Sequence, residues 1–204
     1  MRLGWSSWFR SASGGGHAAG DPVSVAGDRR AGDQLVRAYI HPITRFFQSK
    51  IQGRDAVNLL VSETLEALTK SPRQVRTTVK AYIYGIANHV LCHHFRAKKR
   101  NREDLIDLTL ADLDGGETTF IANQRVETRV VFSALRRVPF NQAMAIEMYW
   151  IEDIQAPEIA EILGVPQGTV RGYLRLGLVN LHRRIVRDTR DEQLLARTTT
   201  TYTW

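Results

Sequence analysis

From Asp33 onward, apolar residues recur at the spacing of α-helices, which predicts an all-α protein. Three helices are expected in the first part of the chain: from Asp33 to just before Gly53, over about 55–69, and over about 79–100. Pro42 interrupts the first of them and should kink or split it near His41. Two more helices are expected over about 123–138 and from Pro139 onward. The inward-facing positions of the helix at 123–138 are predicted to be Val126, Val130, Val131, Ala134 and Leu135.

Residues 156–176 predict two helices joined by a tight turn. Pro157 suits a first helical turn, and Gly164 can take the left-handed conformation that ends a helix. Pro166 can open the second helix, and the small side chain of Ala160 would let the two helices cross closely. This arrangement is typical of a helix-turn-helix, whose second helix enters the major groove of DNA.

The second helix of this pair has an outward face suited to DNA. Glutamine can bind adenine, arginine can bind guanine through two hydrogen bonds, and threonine can reach a phosphate or a thymine methyl group. An ordinary helical hairpin with a solvated polar face is the alternative. The candidate DNA-binding residues are Gln167, Thr169, Arg171, Tyr173 and Arg175.

Charge, cysteine content and hydropathy indicate the kind of partner and the cellular compartment to expect for this protein. The 204 residues include 28 Lys and Arg against 21 Asp and Glu, a net charge of +7, which suits a polyanionic partner. Cys92 is the only cysteine, so no intrachain disulfide can form, and a reducing compartment such as the cytoplasm is expected. No apolar run approaches the roughly 20 residues of a membrane span.

The patterns divide the chain into five parts. A Gly- and Ser-rich extension at 1–32 precedes a helical domain at 33–102, and an acidic linker at 103–122 leads to a helix-turn-helix domain at 123–187 and a tail at 188–204. Linker and domains have opposite charge. The acidic linker is predicted either to be a solvated, flexible tether or to occupy a positively charged nucleic-acid channel by resembling a polyanion.

Three strings in this order resemble the extracytoplasmic-function sigma factors, which are small specificity subunits of bacterial RNA polymerase. The string DAVNLLVSETLEAL is similar to the helix that grips the polymerase clamp, and VKAYIYGIANHVLCHHFRAKKR to the second-region helix that melts promoter DNA. The string from Val138 to Ile185 is similar to the fourth-region promoter-binding domain. The resemblance covers residues 33 to about 187.

The resemblance implies roles for particular residues and no reaction of the chain's own, and hence no cofactor. The −35 element would be bound as duplex by the outward face of the recognition helix. The implied contacts to the −10 element are Lys70, Arg73, Gln74, Arg76, Lys80, Tyr82, Asn88, His89, Arg96, Lys98 and Lys99. The implied contacts to polymerase are Asn58, Leu59, Ser62, Glu63 and Glu66.

The family also implies partners: the clamp and flap regions of core polymerase, promoter DNA, and an anti-sigma factor that could hold the chain inactive. Core packing is the competing role for Tyr82 and Tyr84, and for Tyr84 it is the expected one.

Some residues depart from the family pattern. Asn58 and Leu59 stand where the clamp-binding helix usually carries acidic residues, so fewer charge-assisted contacts are expected there. Tyr173 replaces a common basic residue. Gly172 and Gly177 lie inside the recognition helix, where each costs about 1 kcal/mol relative to Ala, so either tertiary packing or close approach to DNA must favour them.

Three other functions fit parts of the sequence. A helix-turn-helix activator or repressor would bind duplex operator DNA without joining polymerase. A nuclease or integrase could use Glu103, Asp104 and Asp107 as metal ligands, although they fall in the predicted linker. A group of histidine and cysteine side chains on the third predicted helix could start a zinc site, but DNA-facing or structural roles are expected for it instead. The group comprises His89, Cys92, His93 and His94.

Overall fold

The protein is described by a computed structural model over residues 29–70, 77–98, 108–115 and 117–188. These residues are helical, with no β-strand among them, which confirms the predicted all-α fold. One π-helical segment, Glu147–Ile151, continues directly from the seventh helix. The helices are α1 Arg29–Gln48, α2 Arg54–Lys70, α3 Val79–Lys98, α4 Leu110–Asp114, α5 Thr119–Ala122, α6 Val126–Leu135, α7 Phe140–Ile146, α8 Ala156–Leu163 and α9 Gln167–Asp188.

Helices α1, α2 and α3 pack on one another and form what we call the front half. Phe46 of α1 makes edge-to-face contacts with the rings of Phe47 and Tyr84, all of them fully or almost fully buried. Tyr84 is therefore a core residue, as expected. Pro42 does not split α1, because the buried side chains that follow it hold the helix against α2 and α3 despite the lost backbone hydrogen bond.

The described part of the acidic segment is folded and packed. Thr109 caps α4 in a reciprocal capping box with Asp112, and Leu110 and Leu113 are buried. Helix α5 contacts α1 and α6, and its Ile121 is fully buried. The prediction of a solvated tether is thus wrong for residues 108–115 and 117–122, because their apolar side chains find a core that composition alone did not reveal.

Helices α6 to α9, with the π-helical segment, form the rear half. Helix α9 packs against α6, α7 and α8 through one apolar face. The prediction that Val126 faces inward is wrong: this residue is 74% exposed, because α6 begins there and its apolar face starts only with the residues after it. Val131, Ala134 and Leu135 are buried as predicted.

Buried side chains of both halves belong to a single apolar cluster. The principal contact between the halves is α8 lying on α3, where Gly85 faces Ile162. Within the described ranges, none of the helices combines the length and apolar character that crossing a membrane would need.

Candidate nucleic-acid interface

The recognition helix α9 is positioned by the turn that precedes it. Gln155 and Glu158 form a reciprocal capping box at the start of α8, next to Pro157. Gly164 ends α8 with φ +66°, in the left-handed conformation that its lack of a Cβ permits. The N–H of Val165 then donates to the carbonyl of Ala160 at 3.0 Å, so the chain reverses within three residues.

The structure places three of the five predicted −35 residues on the solvent side of α9 and the other two at its edge. Gln167, Arg171 and Arg175 are exposed and follow one another at intervals of four residues, so they form one stripe. Thr169 and Tyr173 are half-buried beside it, and Tyr173 packs against the core. The stripe starts at the positive end of the helix dipole, which adds to the attraction for phosphate.

Helix α9 carries a strong excess of positive charge. Its 22 residues include five arginines and one acidic residue, Asp188, at its last position. Asp188 pairs with Arg137 of the rear half, so it does not neutralise the arginines at the other end of α9. A positive helix with an exposed polar stripe has the electrostatic footprint of a DNA-binding element.

Helix α3 carries the described part of the predicted −10 surface. His89 and Arg96 are exposed, seven residues apart and on one face, whereas Lys80 and Tyr82 are half-buried. Lys98 is 47% exposed and pairs with Asp114 at 2.5 Å. Asn88 is only 6% exposed, so in this arrangement its side chain is not part of the surface.

The predicted −10 loop is outside the described residues. This applies to Arg73, Gln74 and Arg76, to Lys99, and to the side chain of Lys70. The imagined metal ligands Glu103, Asp104 and Asp107 lie outside them as well, as do most of the predicted terminal extensions at 1–32 and 188–204.

A separate face of α2 holds the five residues that the sequence predicted as polymerase contacts. All five are exposed, and they lie opposite the buried stripe formed by Val57, Leu60 and Val61. Leu59 is 57% exposed, so the face has an apolar centre flanked by carboxylates rather than a purely acidic surface. The face comprises Asn58, Leu59, Ser62, Glu63 and Glu66.

The histidine and cysteine group on α3 is divided between surface and interior. His89 and His93 are exposed, but Cys92 is mostly covered, and burial raises the pKa of its thiol. Burial likewise lowers the pKa of His94, whose ring meets Phe95 edge to face. In the parts of the chain that the structure describes, no three His, Cys, Asp or Glu residues are grouped to hold a metal ion.

Sequence reasoning did not identify a group of buried polar residues where the two halves meet. We call Lys50, Tyr84, Arg136, Glu147 and Glu152 the central polar cluster. The only sequence signal was Glu147, a charged residue inside an otherwise apolar helical stretch, and a periodicity argument assigns no partner to such a residue.

Lys50 and Glu147 form the centre of this cluster. The Nζ of Lys50 donates to Oε1 of Glu147 at 2.6 Å and to the carbonyl of Phe46 at 2.7 Å, and both side chains are at least 95% buried. Burial lowers the pKa of Lys50, while the Glu147 carboxylate opposes that change. Two charges this far from water are tolerated because they neutralise each other.

The other members of the cluster also join front to rear. The hydroxyl of Tyr84 in α3 donates to Oε2 of Glu152, and burial raises the pKa of both groups. The guanidinium of Arg136, at the end of α6, donates to the carbonyls of Ser49 and Lys50, each at 2.9 Å. A second nitrogen of Arg136 donates to the carbonyl of Gly115 at 3.1 Å.

Comparison with known proteins identifies the architecture. A family model described as sigma-70, region 4, matches residues 129–181, which include α8 and the exposed stripe of α9. The solved structure of CnrH in complex with the cytosolic domain of CnrY has a similar fold: the TM-score is 0.57 at 18% identity, covering 81% of this chain and 94% of that one.

A curated relative gives the family. The RNA polymerase sigma factor HrpL of Pseudomonas syringae pv. syringae is 30% identical over 169 residues, a match that spans 80% of this chain and 90% of HrpL. This match extends far beyond the helix-turn-helix and includes the front half, so the likeness is not limited to a DNA-binding module. The chain belongs to the RNA polymerase sigma factors, of the extracytoplasmic-function type.

Proposed function

We propose that the chain directs core RNA polymerase to promoters by binding the −35 element with α9 and the −10 element with α3. The observation that carries the first assignment is the exposed stripe of Gln167, Arg171 and Arg175 on a helix with five arginines. Arginine and glutamine at intervals of one helical turn can reach successive base edges in the major groove, while the other arginines of α9 neutralise phosphates.

The proposed −10 surface is the exposed side of α3. His89 and Arg96 offer a ring and a guanidinium on one face, and Tyr82 lies about two turns before His89 on the same helix. Such groups stack on unstacked bases and follow the backbone of a single strand. In this proposal the front half captures the separated strand and the rear half holds the duplex.

The exposed face of α2 is the proposed site for the polymerase clamp. Glu63 and Glu66 supply charge, and the exposed Leu59 supplies an apolar anchor where the family commonly has a carboxylate. The role is positional and contains no catalytic step, and its place is the bacterial cytoplasm. CnrH was captured with the cytosolic domain of CnrY, and on this basis an anti-sigma factor is a further proposed partner.

Run-off transcription on a linear promoter tests this proposal against a regulator that only binds duplex DNA. Purified chain added to core polymerase should yield a transcript without any other sigma factor, because this chain would supply promoter recognition and melting together. Core polymerase alone, and core polymerase with a chain lacking residues 123–204, are the controls. A transcript that requires a second sigma factor would favour the regulator and contradict the proposal.

Replacing Arg171 by alanine should weaken binding to the −35 duplex by about 1 to 3 kcal/mol, because a bidentate contact to a base is lost. Affinity for core polymerase should stay unchanged, since Arg171 lies on the exposed stripe of α9 and the proposed clamp site is on α2. Fluorescence anisotropy with labelled duplex and with core polymerase measures both.

Arg187→Ala is the matched control for this prediction. It removes the same charge from the same helix four turns away, where the residue is exposed but outside the stripe. The control should lower duplex affinity much less and equally for all sequences. If Arg171→Ala instead abolishes polymerase binding, the recognition stripe has been assigned to the wrong partner.

A further inference from the structure

A pocket of about 390 Å³ lies beside helix α6, between α4, the start of α5 and the end of α9. Pockets of about 300 to 1,000 Å³ are the size that binds small molecules in proteins. None of the residues lining it belongs to the surfaces proposed above for the −35 element, the −10 element or the polymerase clamp. Its charged and hydroxyl side chains are Glu117, Arg129, Ser133, Arg136, Arg137 and Asp188.

Two of the three arginines in this pocket already hold carboxylates of the chain itself. Oε1 of Glu117 accepts from Oγ of Ser133 at 2.5 Å and from Nε of Arg129 at 3.2 Å. Arg137 pairs with Asp188 at the end of α9. Arg129 and Ser133 lie four residues apart, so they share one face of α6. This face therefore has the donors that an oxyanion from outside the chain would need.

An external anion could replace these internal carboxylates at little cost. The side chains of Arg129 and Glu117 are 52% and 27% exposed, and those of Arg137 and Asp188 are 50% and 31% exposed. Solvated ion pairs of this kind contribute little stability, because water screens the attraction and both side chains lose conformational freedom. A phosphate dianion carries more charge and more acceptor oxygens than a carboxylate, so the same donors would bind it more strongly.

Arg136 supplies the third guanidinium and is the most deeply buried residue lining the pocket. It is only 3% exposed, and its two terminal nitrogens donate to main-chain carbonyls. Its Nε has no hydrogen-bond partner among the residues that the structure describes. Native proteins rarely leave a buried donor unpaired, because the cost of removing it from water is then not recovered. The unpaired N–H of Arg136 therefore indicates an acceptor from outside the chain.

We propose that this pocket binds the phosphoryl group of a small molecule, either free phosphate or a sugar phosphate. The phosphoryl oxygens displace the Glu117 carboxylate and accept from Nε of Arg129, Oγ of Ser133 and Nε of Arg136. Guanidinium groups suit phosphate because their N–H donors lie in one plane and stay protonated. The volume is at the lower end of the range for ligand pockets, which suits a molecule of this size. The inference does not depend on the proposed promoter contacts.

Calorimetric titration of the full chain tests the site, with ribose 5-phosphate, inorganic phosphate and ribose as probes. The buffer contains about 0.15 M chloride, which suppresses loose association with the other arginines. Ribose 5-phosphate should bind at one site with a dissociation constant of about 1 mM or lower, and ribose should not bind. Equal affinity for inorganic phosphate would identify free phosphate as the ligand, and tighter binding of ribose 5-phosphate would identify a sugar phosphate. If neither phosphate binds, the inference is wrong.

Two substitutions with opposite expected effects distinguish a ligand site from a purely structural ion pair. Arg129→Gln should weaken phosphate binding about tenfold or more, because a charged hydrogen-bond donor is lost. Glu117→Gln should tighten it about tenfold, because the competing carboxylate and its repulsion are removed. Arg183→Gln is the matched control, since this exposed arginine of α9 does not line the pocket, and its affinity should equal that of the wild type. Wild-type affinity in Arg129→Gln would overturn the site.

Two-dimensional NMR of the isotope-labelled wild-type chain locates the bound phosphate without any substitution. The Nε–H resonance of Arg136 should shift during the titration, together with the backbone amide of Ser133, while the Nε–H resonance of Arg183 stays in place. Shifts confined to the exposed stripe of α9 would mean that phosphate binds the DNA-binding face instead, and would overturn the inference. Circular dichroism shows whether each variant retains its helices, and if Arg129→Gln does not, the Arg136 resonance and Glu117→Gln decide the question.

Discussion

Replacing Arg136 by alanine is expected to lower the free energy of unfolding by about 3 kcal/mol. Arg136 is 3% exposed, and its guanidinium donates to the carbonyls of the buried Ser49 and Lys50 and to the carbonyl of the exposed Gly115. Losing this charged donor leaves the two buried carbonyls unsatisfied, and each costs about 1 to 3 kcal/mol unless the site relaxes. Urea denaturation followed by circular dichroism measures the change.

The next residue supplies a matched control. Arg137 is exposed and pairs with Asp188, so Arg137→Ala removes an identical side chain from a solvated ion pair. Such pairs contribute about 0 to 1 kcal/mol. Arg136→Lys should restore little, because an ammonium cannot supply the fork of donors that reaches carbonyls on two segments. Equal losses at Arg136 and Arg137 would contradict the role assigned to the buried guanidinium.

Substituting leucine for Gly177 is expected to destabilise the rear half by roughly 2 to 3 kcal/mol. A Cβ at this position would lie 2.9 Å from Cδ1 of Ile146 and 3.2 Å from Cβ of Gln142, so α9 and α7 would have to move apart. Ile146 is fully buried and has little freedom to adjust. The better helix propensity of leucine, about 1 kcal/mol, offsets only part of this strain.

Gly172→Leu is the control for that prediction. A Cβ at Gly172 meets nothing within 4 Å, so the substitution should leave the unfolding midpoint unchanged or raise it. The packing explanation thus applies to Gly177, and for Gly172 close approach to DNA remains the prediction. Thermal unfolding separates the two variants. An equally destabilised Gly172→Leu would mean that strain against α7 is not the reason for the glycine at 177.

The helix-turn-helix could be predicted almost residue by residue, because its signals are local. Pro157, Gly164 and Pro166 act through backbone geometry within one or two turns, and the left-handed glycine is at the expected place. The exposed stripe of α9 followed from helical period alone. The α2 residues that the resemblance assigned to the polymerase clamp are exposed as well, opposite the buried Val57, Leu60 and Val61, and their contact with polymerase is a proposal.

The largest error occurred where the outcome depended on residues distant in the chain. Composition made the acidic segment appear solvated, but Leu110, Leu113 and Ile121 are buried between elements that the segment itself does not contain. Pro42 was expected to kink or split its helix; the helix is not split, and the kink stays a prediction. The local penalty of a proline is smaller than the burial energy of the aromatic residues that follow it.

The sequence by itself determined the all-helical fold, the position of the recognition helix and the kind of partner, because periodicity, turn residues and charge act over a few residues. Only the tertiary structure decided that Lys50 meets Glu147, that Arg136 binds carbonyls of the front half, and that α8 lies on α3. Contacts between residues up to 97 positions apart depend on how two apolar surfaces fit together, and the pattern of neighbouring residues does not contain that information.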